Sequence, residues 1–228
     1  MQKLLLWDLD GTLLHTGGVS AEAMHMAMTK VYGPAPRRER PFYSGKTDRQ
    51  IIQETYALLT PADVLEHLND FMATYELELL ARQVRLRAKA ALMPGILAVL
   101  QALQPQALQA PLTGNIAPIA QLKLAILNLL PYLDVAVGAY GNDHFDRSAL
   151  VPIALARATQ AYGHSFSGQA VVVLGDTPND ILCGKANGTR TVALATGAYS
   201  LQELQAHQPD AALPDATDLA ATVAAILG

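Results

Sequence analysis

Residues Leu4 to Thr12 read LLLWDLDGT, an apolar run that stops abruptly in two carboxylates and a turn. Leu4, Leu5, Leu6 and Trp7 show no polar alternation, which predicts a short strand buried on both faces, as in a parallel sheet. Side chains repeat every two residues along a strand, so Asp8 and Asp10 project to one side at its end. Two like charges beside an apolar core are unfavourable unless a cation, or a bound anion with its metal, compensates them. Taken alone, Asp10-Gly11 is equally a hairpin-turn signal. What decides is whether the rest of the chain supplies partners.

Working outward, 228 residues suit one large domain or a main domain with a smaller insertion, and 51% hydrophobic content supports a real core. The formal charge is -4, from 16 basic and 20 acidic residues. No basic field exists to hold nucleic acid or an anionic membrane. The single cysteine, Cys183, excludes an internal disulfide and fits a reducing compartment. Met1 to Leu6 is too short for a signal core, and no apolar stretch approaches the ~18 residues of a membrane span. The expectation is a cytoplasmic protein, a monomer or weak dimer, with no nucleic-acid or membrane partner.

After Thr12 the pattern turns helical. Gly17-Gly18 makes a joint, Ser20 is placed to cap a helix through Met24, Met28 and Val31, and Gly33-Pro34-Ala35-Pro36 stops it before a basic loop. Ser44 to Arg49 opens a second helix over Ile51 to Leu58, and Thr60-Pro61 opens a third running to Leu79. From Pro94-Gly95 onward helices alternate with apolar runs at Leu108–Leu112, Val135–Ala139, Ala170–Leu174 and Thr191–Ala195, with a weak sixth at Ala211–Leu213 and a closing helix in Ala216–Leu227. Such alternation predicts an α/β fold with a doubly wound parallel sheet, a Rossmann-like core formed by residues 1–15 and 91–228, interrupted by an all-helical insertion over residues 16–90.

In open parallel sheets ligands sit beyond the carboxyl ends of the strands. The first run ends in Asp8-Leu9-Asp10, the second in Thr113-Gly114-Asn115, and the fourth in Gly175-Asp176-Thr177-Pro178-Asn179-Asp180. The third is followed by Gly141 to Arg147, and Arg147 precedes a helix that starts near Leu150, since Pro152 is tolerated only in a first turn. A hydroxyl, a guanidinium and four acids then converge on one crevice. That set suits a phosphoryl group with a hard divalent cation: oxygen ligands for Mg²⁺ and donors for phosphoryl oxygens.

DLDGT, TGN and GDTPND, in that order with a helical insertion after the first, resemble the haloacid dehalogenase superfamily of aspartyl-phosphate phosphohydrolases, in the branch whose cap lies between the first two strands. The resemblance covers nearly the whole chain and is closest in style to phosphoglycolate phosphatases. It implies that Asp8 is the nucleophile and Asp10 the general acid and base. It implies that Thr113, with Gly114 and Asn115, binds the phosphoryl group. It also implies that Mg²⁺ is held by Asp8, Asp10 through its carbonyl, and Asp176, with Asp180 as a further metal-site acid. The superfamily usually carries a lysine where this chain has Arg147, so a fork replaces a point charge; Lys123 is the rival cation. Asp10 argues against the dehalogenase branch itself. The expected activity is Mg²⁺-dependent hydrolysis of a small phosphomonoester, with phosphoglucomutase-like transfer, or a silent phosphate-binding protein, as alternatives.

A carboxylate nucleophile splits hydrolysis into two easier steps, and Asp10 serves both by protonating the leaving alcohol and then taking a proton from water. Lys46 and Arg49 lie between insertion helices, where they either select the substrate or form a solvated loop with Arg49 paired to Asp48. Trp7, Cys183 and the Met24–Met28 stretch read as packing residues.

Overall fold

In the computed structural model, which describes residues 3–35 and 43–228, the strands among those residues are β1 (Lys3–Trp7), β2 (Leu14–His15), β3 (Ala91–Leu92), β4 (Ala107–Pro111), β5 (Val171–Gly175), β6 (Arg190–Leu194) and β7 (Ala211–Leu213). Five of them form one sheet in the order β4-β1-β5-β6-β7, every neighbouring pair parallel. The order reverses at β1, which pairs Leu4 with Leu108 on one side and with Val171 on the other. That reversal opens a crevice past Trp7, where Asp8 and Asp10 follow.

The helices are α1 (Val19–Tyr32), α2 (Asp48–Thr55), α3 (Pro61–Glu66), α4 (Leu68–Leu80), α5 (Gln83–Lys89), α6 (Ile96–Leu103), α7 (Ala117–Ile126), α8 (Leu150–Tyr162), α9 (Pro178–Ala186), α10 (Leu201–Ala206) and α11 (Leu219–Leu227). Two apolar layers sandwich the sheet, and β1 divides between them with period two. Leu5 and Trp7 pack with Ile96, Val99 and Leu100 of α6 and Ile226 of α11. Leu4 and Leu6 pack with Leu150, Val151 and Ala154 of α8. An unbroken apolar strand is the pattern that burial on both faces requires. Trp7 is wholly buried and its indole N–H donates to Gln109 Oε1 at 3.1 Å, so its one polar atom is satisfied.

All of α1 to α5 falls between β2 and β3, which pair antiparallel through Leu14 with Leu92 and His15 with Ala91. These helices share one apolar cluster, in which Met28, Ile52, Phe71, Tyr75 and Leu79 are buried. The cluster does not stop at the insertion: Ile116, Ile119 and Ile126, on and just before α7, belong to it.

Several local expectations are corrected. Val135–Ala139 is not a strand: Val135 to Val137 form a turn, and only Ala139 bridges Leu112. Asp134 Oδ1 accepts the Ala136 N–H at 3.0 Å and the Tyr140 hydroxyl donates to Val135 O at 2.6 Å, which bends the run before it can lie along β4. Ser20 does not cap α1. The helix starts after Gly18, which is left-handed with no side-chain cap, and the Ser20 hydroxyl pairs instead with the Tyr75 hydroxyl at 2.7 Å. The second helix ends at Thr55, leaving Leu58 95% exposed beyond it. Thr60 and Pro61 begin α3 as expected, by a capping box with Asp63, but the chain breaks at His67 and resumes as α4. Pro36 and the basic loop lie outside the described residues.

Candidate active site

The carboxyl ends of β1, β4 and β5 bring the sequence-selected acids together. Oxygens of Asp8, Asp176 and Asp180 lie within 4.8 Å of one another, all three residues buried. Asp180 is fixed because it completes the capping box of α9: its Oδ2 accepts from Thr177 N at 3.1 Å and from Thr177 Oγ1 at 2.7 Å. Asp176 takes the Thr12 hydroxyl on Oδ1 at 2.8 Å. Gly11 has φ +93°, and a Cβ built there would stand 2.4 Å from Asp176 Oδ2, so only glycine lets the DLDGT turn close against that carboxylate.

Arg147 enters this trio from the 3₁₀ turn before α8. Its Nη2 donates to Asp8 Oδ1 at 2.7 Å and to Asp180 Oδ1 at 2.5 Å, with a longer bond to Leu112 O at 3.4 Å, while its buried Nε has no partner among the described residues. The turn is held in place by the Cys183 thiol, which donates to Arg147 O at 3.3 Å, and by Asn187, which donates to Ser148 O at 2.8 Å. Burial works against the guanidinium charge, but Asp180 and Asp8 outweigh it and hold the group above its ordinary value. Burial likewise pushes the Asp8 carboxyl up, with Arg147 pulling it back and Asp180 adding a like charge. Asp176 is raised by burial and then by Asp8 and Asp180.

Asp10 faces a different way. Its Oδ2 accepts from Lys123 Nζ at 2.6 Å and from Asn115 Nδ2 at 2.7 Å, and its side chain is 41% exposed. Asn115 also donates to Thr113 Oγ1 at 2.8 Å and accepts from Lys123 on Oδ1 at 2.7 Å. The rival cations thus have separate places, Arg147 on Asp8 and Lys123 on Asp10. The Asp10 carboxylate lies outside the trio of acids.

Asp8, Asp10, Thr113, Gly114, Asn115, Lys123 and Arg147 all line one cavity of about 190 Å³, whose other wall comes from the insertion. That wall is docked by Asp48 N donating to Gly114 O at 2.8 Å, Ile116 N donating to Asp48 Oδ2 at 2.9 Å, Thr47 Oγ1 donating to Phe145 O at 2.8 Å, and Asn179 Nδ2 donating to Gly45 O at 3.0 Å. A Cβ at Gly114 would come within 1.9 Å of Lys46 O, so the approach is closer than any side chain permits. A second cleft, past His15 and Gly197, also reaches Asp10 and is lined by Asp176.

Of the two insertion cations singled out from sequence, Lys46 lines the cavity, with its ammonium on Glu54 Oε2 at 2.5 Å. Arg49 is buried in α2, does not line the cavity, and is not paired with Asp48. Sequence reasoning missed Asp48, Ser20 and Tyr75, which do line it. The available signal was Thr47…Gln50, a capping-box pattern that fixes where α2 begins and hence which residue its first turn presents.

The family model for haloacid dehalogenase-like hydrolases matches residues 2–188. The chain belongs to that family. A phosphoglycolate phosphatase from Aquifex aeolicus is 27% identical to this hydrolase over 95% of the chain and 94% of its own length. A hydrolase from Pseudomonas syringae superposes with a TM-score of 0.70 at 19% identity, covering all of both chains. CbbY from Rhodobacter sphaeroides, solved in complex with phosphate, also superposes at 0.70 with 19% identity, over 96% of each chain. The structural likenesses show that the hydrolase has the family's α/β fold. No helix among its described residues is long and apolar enough to cross a membrane.

The trio fits the family's metal on physical grounds: three buried carboxylates cluster with one guanidinium paired to only two of them, and hard oxygen donors suit Mg²⁺. A carboxylate with a raised folded pKa adds stability below its unfolded value of about 4 and loses it as pH climbs through the folded one. Chelated protein is therefore expected to melt at falling temperature between about pH 5 and about pH 8, and added Mg²⁺ to flatten that slope, since ligands bind deprotonated. Thermal melts with EDTA or Mg²⁺ across this range check it; a flat EDTA profile would contradict the assignment.

Proposed function

We propose that this hydrolase is a Mg²⁺-dependent phosphatase that cleaves a small phosphomonoester through a phosphoryl group carried on Asp8. The observation carrying this reading is the division of labour between two acids two residues apart. Asp8 is buried against Arg147, and Asp10 is held by Lys123 and Asn115 at the cavity. Asp8, Asp176 and Asp180, with the Asp10 carbonyl, would hold the cation. Bound there, Mg²⁺ supplies positive charge that lets an anionic nucleophile approach an anionic phosphoryl group.

The chain's own residues supply the rest. The Asp8 carboxylate attacks phosphorus while the Asp10 carboxyl gives its proton to the departing alcohol oxygen. Asp10 then takes a proton from the water that attacks the aspartyl phosphate, releasing inorganic phosphate and restoring Asp8. Thr113 and the backbone of Gly114 and Asn115 receive the phosphoryl oxygens, and Arg147 balances charge beside the nucleophile. Hydrolysis is preferred over transfer to a second sugar because Asp10 is substantially exposed and reached by the second cleft, which gives water a route to the intermediate.

Hydrolysis of p-nitrophenyl phosphate should vanish with EDTA and return with Mg²⁺, and Asp10→Asn should slow it by about 10²-fold. Full activity after exhaustive chelation would end the metal reading, and no activity on any phosphomonoester would end the phosphatase one.

A further inference from the structure

Among the described residues, Asp48 is the acid that the insertion contributes to the cavity lining. It is the first residue of α2 and buried. Its Oδ2 takes the Ile116 N–H at 2.9 Å while its own N–H donates to Gly114 O at 2.8 Å. Both bonds pin the carboxylate where the insertion meets the phosphate-binding loop. Oδ1 has no partner among the described residues. Close by on the same wall, the Ser20 and Tyr75 hydroxyls lie 2.7 Å apart.

The charges around this wall are already spoken for. Lys46 is on Glu54, Lys123 is on Asp10, and Arg147 is on Asp8 and Asp180. A leaving group that carried its own carboxylate would meet Asp48 without an idle cation among the described lining residues. Burial pushes the Asp48 carboxyl up to about 7, with the Ile116 N–H and Lys123 working the other way. An anion placed beside it would therefore either face a like charge or force a proton onto it, and both weaken binding. A hydroxyl has neither difficulty, because it donates to Oδ1 and exchanges hydrogen bonds with Ser20 and Tyr75.

We infer that Asp48 is a specificity-determining residue that selects a neutral, hydroxylated leaving group, so that the substrate is a phosphomonoester of a polyol or sugar and not of a hydroxy acid. The inference rests on the phosphatase reading above and narrows it. It also separates this chain from the substrate in the name of its Aquifex relative.

The test compares kcat/KM for glycerol 3-phosphate, whose leaving group is neutral, with phosphoglycolate, whose leaving group is anionic, in wild-type protein and in Asp48→Asn with Mg²⁺ present. Wild type is expected to favour glycerol phosphate by at least ~10-fold, and Asp48→Asn to shrink that ratio by a similar factor, chiefly through KM. Asparagine can still accept the Ile116 N–H, so a residue that merely tethered α2 would slow both substrates alike and leave the ratio unmoved. Such a result, or a wild-type preference for phosphoglycolate, overturns the inference. The wild-type ratio decides the question even if the variant does not fold. Hydrolysis of p-nitrophenyl phosphate with refusal of both esters overturns the specificity claim alone, whereas refusal of all three removes the phosphatase reading with it.

Discussion

Asp8→Asn is expected to leave a folded protein with turnover reduced by roughly 10⁴-fold or more, because an amide at the end of β1 cannot form the covalent intermediate. The fold should be untouched. Asparagine has the same shape, its carbonyl can still accept from Arg147 at the position Asp8 Oδ1 occupies, and the change removes one of three clustered carboxylates. Like-charge repulsion in a buried site is unfavourable, so in EDTA the variant should melt no lower than the wild type. Rapid-quench experiments with ³²P-labelled substrate should capture labelled protein from the wild type and none from the variant. Labelled Asp8→Asn protein, or activity within tenfold of wild type, would show that another residue attacks phosphorus.

Arg147→Ala should lower turnover by about 10²- to 10³-fold on every substrate, the size expected when a preorganised electrostatic donor is removed. It should also destabilise the metal-free protein by about 3–5 kcal/mol, since stripping one partner from a buried ion network leaves uncompensated charge. Arg147→Lys tests the same contact more sharply. Among the described residues the guanidinium bonds through Nη2, to Asp8, Asp180 and Leu112 O, and its Nε has no partner. The fork is thus used as a point charge, which an ammonium can replace. Arg147→Lys should keep activity within about tenfold of wild type, since the bidentate geometry that distinguishes arginine is not in use. Circular dichroism melts and steady-state kinetics on p-nitrophenyl phosphate read both effects. A silent Arg147→Ala alongside a severe Lys123→Ala would transfer the role to Lys123.

Much of the site was legible because its residues follow directly from strand ends. Once LLLW is read as a doubly buried strand, Asp8 has one place to be, and the same logic carries Thr113 and Asp176. Arg147 was legible through Pro152, which limits where α8 can begin. Val135–Ala139 was misread because a short apolar run has no periodicity to distinguish strand from turn, and the Asp134 side chain decided the matter locally. Asp48 and Arg49 were misjudged for a different reason. Whether a residue on α2 faces the cavity or the insertion's interior depends on how the 44–48 loop docks on Gly114 and Ile116, a contact made far away along the chain. Ser20 was read as a cap because caps are local, whereas its partner, Tyr75, is tertiary.

The shared cluster on α7 bears on timing. Ile116 and Ile119 are wholly buried and Ile126 nearly so, all against the inserted helices. Complete separation of the two parts would wet a face worth about 1.5–3 kcal/mol per isoleucine. The inserted helices are therefore held down on the same helix that carries Lys123 to Asp10. Any opening that parts the inserted helices from α7 is thus slowed by the apolar area it must expose, and it disturbs the element that positions the cation on Asp10.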